Sequence, residues 1–328
     1  MHSKLSRSSR TALAIVALIL AGLVVPAFAM YRRDVGRARA RIAARSQIAQ
    51  TPCGPIEYAV EGEGPPVLVV HGAGGGFDQG LDLAESLADG GFRFIAVSRF
   101  GYLGTPLPAD ASAAAQADAH ACLLDALNIR RAAILGISAG GPSTLQFALR
   151  HPDRTAAMVL LVPGVYAPRS TAAPAGRMSP ATAFVVDLTL RSDFIFWAGS
   201  KLARKTFVRS ILGTPPEVAA AAPAGEQARL AAVIDHILPV SERRLGLLND
   251  AAVVSSQSRY QLEAITTPTL AISAADDLYG TFEPARYTGE HIPHARFIGY
   301  PSGGHMLVGH SAETAAAVAA FLEKSASF

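Results

Sequence analysis

The residues best placed to do chemistry are Gly136-Ile137-Ser138-Ala139-Gly140. The run Arg131 to Ile137 reads as a short buried strand, and Pro142 to Arg150 as a helix ending before His151-Pro152. A Gly-x-Ser-x-Gly between strand and helix makes a tight turn whose glycines remove Cβ clashes, leaving the serine Oγ exposed above the sheet edge. A hydroxyl is a poor nucleophile at its own pKa, so Ser138 needs a base, and the base needs an orienting group. Among nine histidines, His305 in Ser302-Gly303-Gly304-His305 follows the last expected strand, in a loop over the sheet's C-terminal edge. His310 opens the final helix and reads as pointing away, while His291 and His294 flank a proline turn. His305 is therefore the candidate base. An acid is expected after the strand Thr269 to Ser273, where Asp276 and Asp277 both qualify. His305 and His310 are five apart, off the i, i+4 spacing that puts two ligands on one helix face, so no metal site is expected.

The elements that must position these groups alternate from Gly54 onward, which argues for a mostly parallel sheet with helices on both faces. Ile56 to Val60 alternates like an edge strand, and Val67 to Val70 is a continuous apolar run typical of a strand buried on both faces. Helices are expected over Leu81 to Ala88, Ala109 to Leu127, Pro284 to His291 and Ser311 to Lys324. Further strands are expected over Phe94 to Val97, Ala157 to Val162 and Ala295 to Tyr300. Between about 163 and 258 the pattern is helical without a convincing strand, and Thr182 to Phe207 is rich in Phe and Trp. Such a block inserted between parallel strands reads as a cap over the edge where open α/β sheets bind ligands, with its aromatics as packing.

The chain has 328 residues, half of them apolar and 17% charged, which excludes a disordered or nucleic-acid-binding composition. Lys and Arg crowd the first 45 residues, and the remainder is mildly acidic. Thr11 to Met30 is 20 residues without a charge, long enough for a membrane-spanning helix. Residues 1–50 are thus expected to be a retained single-pass anchor with an Arg-rich linker, Tyr31 to Gln50, lying on anionic headgroups. The six arginines from Arg32 to Arg45 favour retention over cleavage after Ala27-Phe28-Ala29, which would give a periplasmic or secreted protein. Cys53 and Cys122 have no metal-site spacing and read as two unpaired buried thiols, with a single bridge as the alternative.

From Gly54 to Phe328 the chain resembles the α/β-hydrolase superfamily, in the subgroup with a serine nucleophile, a helical cap and a His-Gly-x-Gly oxyanion loop. The resemblance rests on His71-Gly72-Ala73-Gly74, the segment Ser98 to Thr105, the turn Gly136 to Gly141, Asp276-Asp277 and Gly304-His305, all in family order. It implies residues 51–328 as one α/β-hydrolase domain with the cap at about 163–258. Family strands commonly run P-T-L-x-x-x-G-x-x-D. Laid on this chain, the pattern begins at Pro268 and ends at Asp277, which favours Asp277 as the acid and leaves Asp276 to stabilise the turn. The resemblance also implies that the amides of Ala73 and Ala139 form an oxyanion hole. Two departures stand out: Ala274 replaces a usual glycine, and Ser98 replaces a frequent aspartate that packs under the oxyanion loop.

The implied activity is ester cleavage of a small or medium acyl substrate through an acyl-enzyme, with Ser138, His305 and Asp277 as the triad and no cofactor. A serine at the turn argues against the branches that need a nucleophilic aspartate there. One rival is a carbon–carbon bond hydrolase of a ring-cleavage product, which a cap arginine facing the pocket would favour. Arg191 and Arg243 read instead as solvated. The other rival is a catalytically silent, membrane-tethered binding protein. A phosphate cradle at Gly72 to Gly76 lacks the lysine and the glycine spacing.

Overall fold

A parallel strand covered on both faces must be apolar at nearly every position, and Val67, Leu68, Val69 and Val70 are each fully buried. Alternate residues go to opposite faces, as the two-residue period of a strand demands. Leu68 and Val70 join one core cluster, Val67 and Val69 the other. The computed structural model describes residues 7–86, 91–168 and 180–325. Its strands are β1 (Gln47–Thr51), β2 (Gly54–Glu61), β3 (Pro66–Val70), β4 (Arg93–Val97), β5 (Ala132–Ile137), β6 (Thr155–Leu161), β7 (Thr269–Ala274) and β8 (Arg296–Tyr300). They form one sheet in the order β1-β2-β4-β3-β5-β6-β7-β8. β1 and β2 are antiparallel additions at one edge, and every later neighbour is parallel.

Helices α3 (Ala113–Ala126), α4 (Gly141–Arg150) and α11 (Phe282–His291) supply Leu123, Phe147 and Ala285 to one core. Helices α2 (Phe77–Ser86) and α12 (Ser311–Ser325) supply Ala84 and Val318 to the other. α3 starts four residues later than its composition suggests, because the Ser112 side chain accepts the Ala115 amide hydrogen and caps it. Between β6 and β7 the chain inserts α5 (Pro180–Arg191), α6 (Asp193–Leu202), α7 (Arg204–Ser210), α8 (Pro216–Ala221), α9 (Ala224–His236) and α10 (Arg244–Ser255). Phe196 and Trp197 of this helical block are buried packing residues, whereas Val185, Leu188 and Phe194 remain exposed and the side chain of Phe184 lies outside those described.

The membrane-anchor expectation is corrected. Thr11 to Met30 is part of one 39-residue helix, α1 (Arg7–Arg45), and no described helix is long and apolar enough to cross a membrane. The side chains of residues 7–21 and 23 lie outside those described. In the Arg-rich half of α1, Arg39, Arg41 and Arg45 find carboxylate partners within the protein. Val35 and Ala38 are buried against Phe196, Trp197 and Ile237, and Trp197 donates its indole hydrogen to Asp34 at 3.0 Å. Arg39 pairs with Asp193 and Glu242, Arg41 with Asp78, and Arg45 with Glu61. After Arg45 the chain forms β1, which has no apolar alternation and owes its structure to pairing with β2.

The cysteine expectation is corrected too. Cys53, in the β1–β2 turn, is disulfide-bonded to Cys122 of α3. A pairing across 69 residues is invisible to local pattern because it depends on how the hairpin folds over the helix.

Candidate active site

Ser138 stands at the end of β5 with φ +50°, a left-handed conformation that the flanking glycines make room for. A Cβ at Gly140 would lie 2.6 Å from the Val70 carbonyl oxygen at the end of β3. At Gly136 it would overlap the side chain of Thr144 on α4. Only glycine lets α4 start this close to the neighbouring strand.

His305 and Asp277 come to Ser138 from the loops after β8 and β7. His305 Nε2 is 2.9 Å from Ser138 Oγ, and His305 Nδ1 is 2.8 Å from Asp277 Oδ2. A carboxylate can only accept, so Nδ1 carries the proton and Nε2 is free to accept from the serine hydroxyl. The Asp277 side chain is fully buried and that of His305 is 9% exposed. The remaining Asp277 lone pairs accept the Tyr279 amide hydrogen at 2.8 Å and the Thr281 hydroxyl, and Tyr279 stacks its ring edge-on against the imidazole at 4.8 Å. Asp276 is turned away from the imidazole. It accepts the amide hydrogens of Gly303 and Gly304 at 3.2 and 2.7 Å and so fixes the His305 loop. His310 stacks on Tyr300 and pairs with Glu313, outside this constellation.

The loop after β3 passes directly over Ser138, since a Cβ at Gly72 would meet the Ser138 Cβ at 3.1 Å. His71 is fully buried, donates from Nδ1 to the Gly72 carbonyl at 2.6 Å and accepts the Arg99 amide hydrogen on Nε2 at 3.0 Å. Burial, with Arg99 beside it, holds this imidazole well below the usual histidine range, so it stays neutral. Ala73 lines the cavity above Ser138, and Ala139 follows Ser138 in a short 3-10 turn. Ser98 accepts the Phe77 amide hydrogen that opens α2 and donates to Glu57 Oε2 at 2.8 Å. Glu57 of β2 thus supplies the buried carboxylate that Ser98 cannot.

A cavity of about 290 Å³ lies between these loops and the helical block, lined by Ser138, His305, Ala73 and mostly apolar side chains such as Leu161, Leu212, Val233 and Ile237. Its polar wall includes Gln79, Arg229 and the pair Asp82–His236, 2.5 Å apart. Arg229 and His236 lie on α9, outside every motif the sequence offers. Two other arginines behave differently. Arg191 is exposed and pairs with Asp187. Arg243, expected to be solvated, is fully buried and paired with Asp78. Among the described residues no cluster could hold a metal ion.

Residues 65–309 match the family model described as alpha/beta hydrolase fold. An uncharacterized hydrolase, YcgS, of Bacillus subtilis is 36% identical over 107 residues, 33% of this chain and 37% of that one. The 2-hydroxy-6-oxo-6-phenylhexa-2,4-dienoate hydrolase of Comamonas testosteroni is 33% identical over 114 residues, 33% of this chain and 40% of the other. The aligned chain therefore spans less than half the length of either relative. An alpha/beta hydrolase fold protein from Nakamurella multipartita superposes with a TM-score of 0.67 at 28% identity, over 84% of this chain and 98% of that one. With the family model matched from β3 to β8, including the inserted helices and the loops that carry Ser138, Asp277 and His305, the chain belongs to the α/β-hydrolase fold family.

Proposed function

We propose that this hydrolase cleaves an ester with a small or medium acyl group by way of an acyl-enzyme. The observation that carries the reading is the unbroken line from Ser138 Oγ through the His305 imidazole to buried Asp277, opening into an apolar cavity. His305 takes the Ser138 proton as Oγ attacks the ester carbonyl, and Asp277 holds the tautomer and stabilises the imidazolium. The amides of Ala73 and Ala139 serve as donors to the oxyanion, each worth about 10²–10³ in rate in comparable sites. His305 then protonates the departing alkoxide, and water attacks the acyl-serine with His305 again as base. The helical block, about 163–258, acts as the cap that keeps bulk water from the cavity and limits acyl length. Nitrophenyl esters of increasing chain length test this. Turnover should peak at short to medium chains, and absence of turnover on the whole series would overturn it.

A second reading, carbon–carbon bond hydrolysis, is favoured by the Comamonas relative's name and by Arg229 on the cavity wall. Ester cleavage is preferred because the Arg229 guanidinium is already held by Glu226, from Nε and Nη2, and by the Met306 carbonyl. The Nε–Nη2 edge that would grip a substrate carboxylate with two parallel hydrogen bonds is thus taken by Glu226. Turnover of a 2-hydroxy-6-oxo-dienoate faster than of any nitrophenyl ester would reverse this preference.

A further inference from the structure

Two buried ion pairs of opposite orientation join the α/β core to the helical block, and both grip the loop His71–Gly76. Arg99, at the end of β4, donates from Nη1 and Nη2 to the two oxygens of Asp250 on α10, at 2.6 and 2.7 Å. Arg243, just before α10, donates to both oxygens of Asp78 at 3.1 and 2.7 Å and to the Gly75 carbonyl at 2.5 Å. The first pair does more than close a gap. Arg99 Nε also donates to the His71 carbonyl at 2.9 Å, and Nη1 to the Ala139 carbonyl at 3.3 Å. Tyr102 donates its hydroxyl hydrogen to Asp250 at 2.5 Å and accepts the Gly74 amide hydrogen at 3.3 Å.

Ala73 is therefore pinned on both sides, through His71 and through Gly74, while Ala139 is pinned by its own carbonyl. All three attachments converge on the carboxylate of Asp250. α10 sits close enough to do this because Gly246 donates its amide hydrogen to the Gly101 carbonyl at 2.9 Å, a contact that side chains at either position would block. Arg99, Tyr102 and Asp250 do not line the cavity. A buried ion pair is a poor source of net stability compared with apolar packing, but its rigid planar fork fixes direction. What this network fixes is the position of two backbone amides.

We infer that Asp250 is a positioning residue for the hydrolysis, acting through Arg99 and Tyr102 to set the Ala73 and Ala139 amides, so that docking of α10 assembles the oxyanion site. This rests on the roles proposed above for Ser138 and those amides. It makes the helical block part of the catalytic geometry as well as a cover.

The experiment compares Asp250→Asn and Tyr102→Phe with wild type in the full chain, on the best nitrophenyl ester. A trifluoromethyl ketone is the oxyanion probe: Ser138 Oγ adds to its carbonyl, the serine proton passes to His305, and the adduct oxygen becomes the anion. Misplaced amides should lower kcat about 10- to 100-fold in Asp250→Asn and about tenfold in Tyr102→Phe, with KM within about threefold. Affinity for the ketone should fall by the same factor as kcat/KM. A loss confined to KM, or kcat and ketone affinity within about twofold of wild type, would overturn the inference. Should Asp250→Asn fail to fold, Tyr102→Phe alone decides by the same criteria. Failure of the underlying reading is distinct, because a fluorophosphonate would then not label Ser138 in wild type, and the inference would fall with it.

Discussion

Asp276 accepts the Gly304 amide hydrogen at 2.7 Å, while the adjacent Asp277 passes that loop and reaches His305 at 2.8 Å. Two neighbouring carboxylates thus hold one histidine by different means, one through its backbone loop and one through its ring. Asp277→Asn should lower kcat/KM by up to about 10⁴, since the wrong tautomer is then favoured. Asp276→Asn should cost about tenfold through a looser loop. Steady-state kinetics beside thermal melts separate the two, and the reverse order would mean that the acid has been assigned one residue off.

Ser138→Ala should abolish ester turnover and fluorophosphonate labelling, with a melting temperature within a few degrees of wild type. The hydroxyl contributes a hydrogen bond to His305 and no core packing. Labelling that persists in the variant would remove Ser138 from its proposed role.

The C-terminal half of α1 should be part of the fold. A chain starting at Tyr31 keeps Val35, Ala38 and Ile42, which are 4%, 2% and 8% exposed. One starting at Gln47 loses them, at roughly 1.5–3 kcal/mol for each large apolar side chain. Differential scanning calorimetry should place the shorter chain about 5–15 °C below the longer. Equal melting points would show that this packing contributes nothing.

The bridge between Cys53 and Cys122 closes a 69-residue span. The chain-entropy model puts its removal at about 4 kcal/mol, as an upper figure. Peptide mapping without reductant should recover the linked pair, and Cys53→Ser with Cys122→Ser should melt earlier. Free thiols in the folded protein would contradict the pairing.

Acid should destabilise the protein through two buried imidazoles. His71 and His120 are 0% and 1% exposed, and burial aided by Arg99 depresses both, His120 to about 3. Their folded values lie below the unfolded one, so the unfolded chain binds protons that the native chain refuses. Their contribution is complete above about pH 6.5 and is lost as pH falls toward 3. Within that window chemical denaturation should show a slope of up to about 2.7 kcal/mol per pH unit, roughly halved in His120→Gln. A flat profile between about pH 6.5 and about pH 5 would mean that both rings are protonated in the native state.

From β2 onward the sequence by itself determined the elements of the sheet and their order. The apolar run Val67 to Val70, the turn around Ser138 and the strand before Asp277 are local patterns, because strand burial and turn sterics act over a few residues. It also led to His305, since the end of a strand tells which sheet edge a loop crosses. Tertiary structure alone decided which charges are buried and with whom. Arg99 finds Asp250 across 151 positions, and Arg243 finds Asp78 across 165. Nothing local distinguishes a buried arginine from a solvated one, because the carboxylate that neutralises it arrives only when the chain is packed. The same holds for the arginines of α1. Their density suggests a lipid surface when the helix is read alone, and the folded protein instead places Asp78, Asp193, Glu242 and Glu61 within their reach.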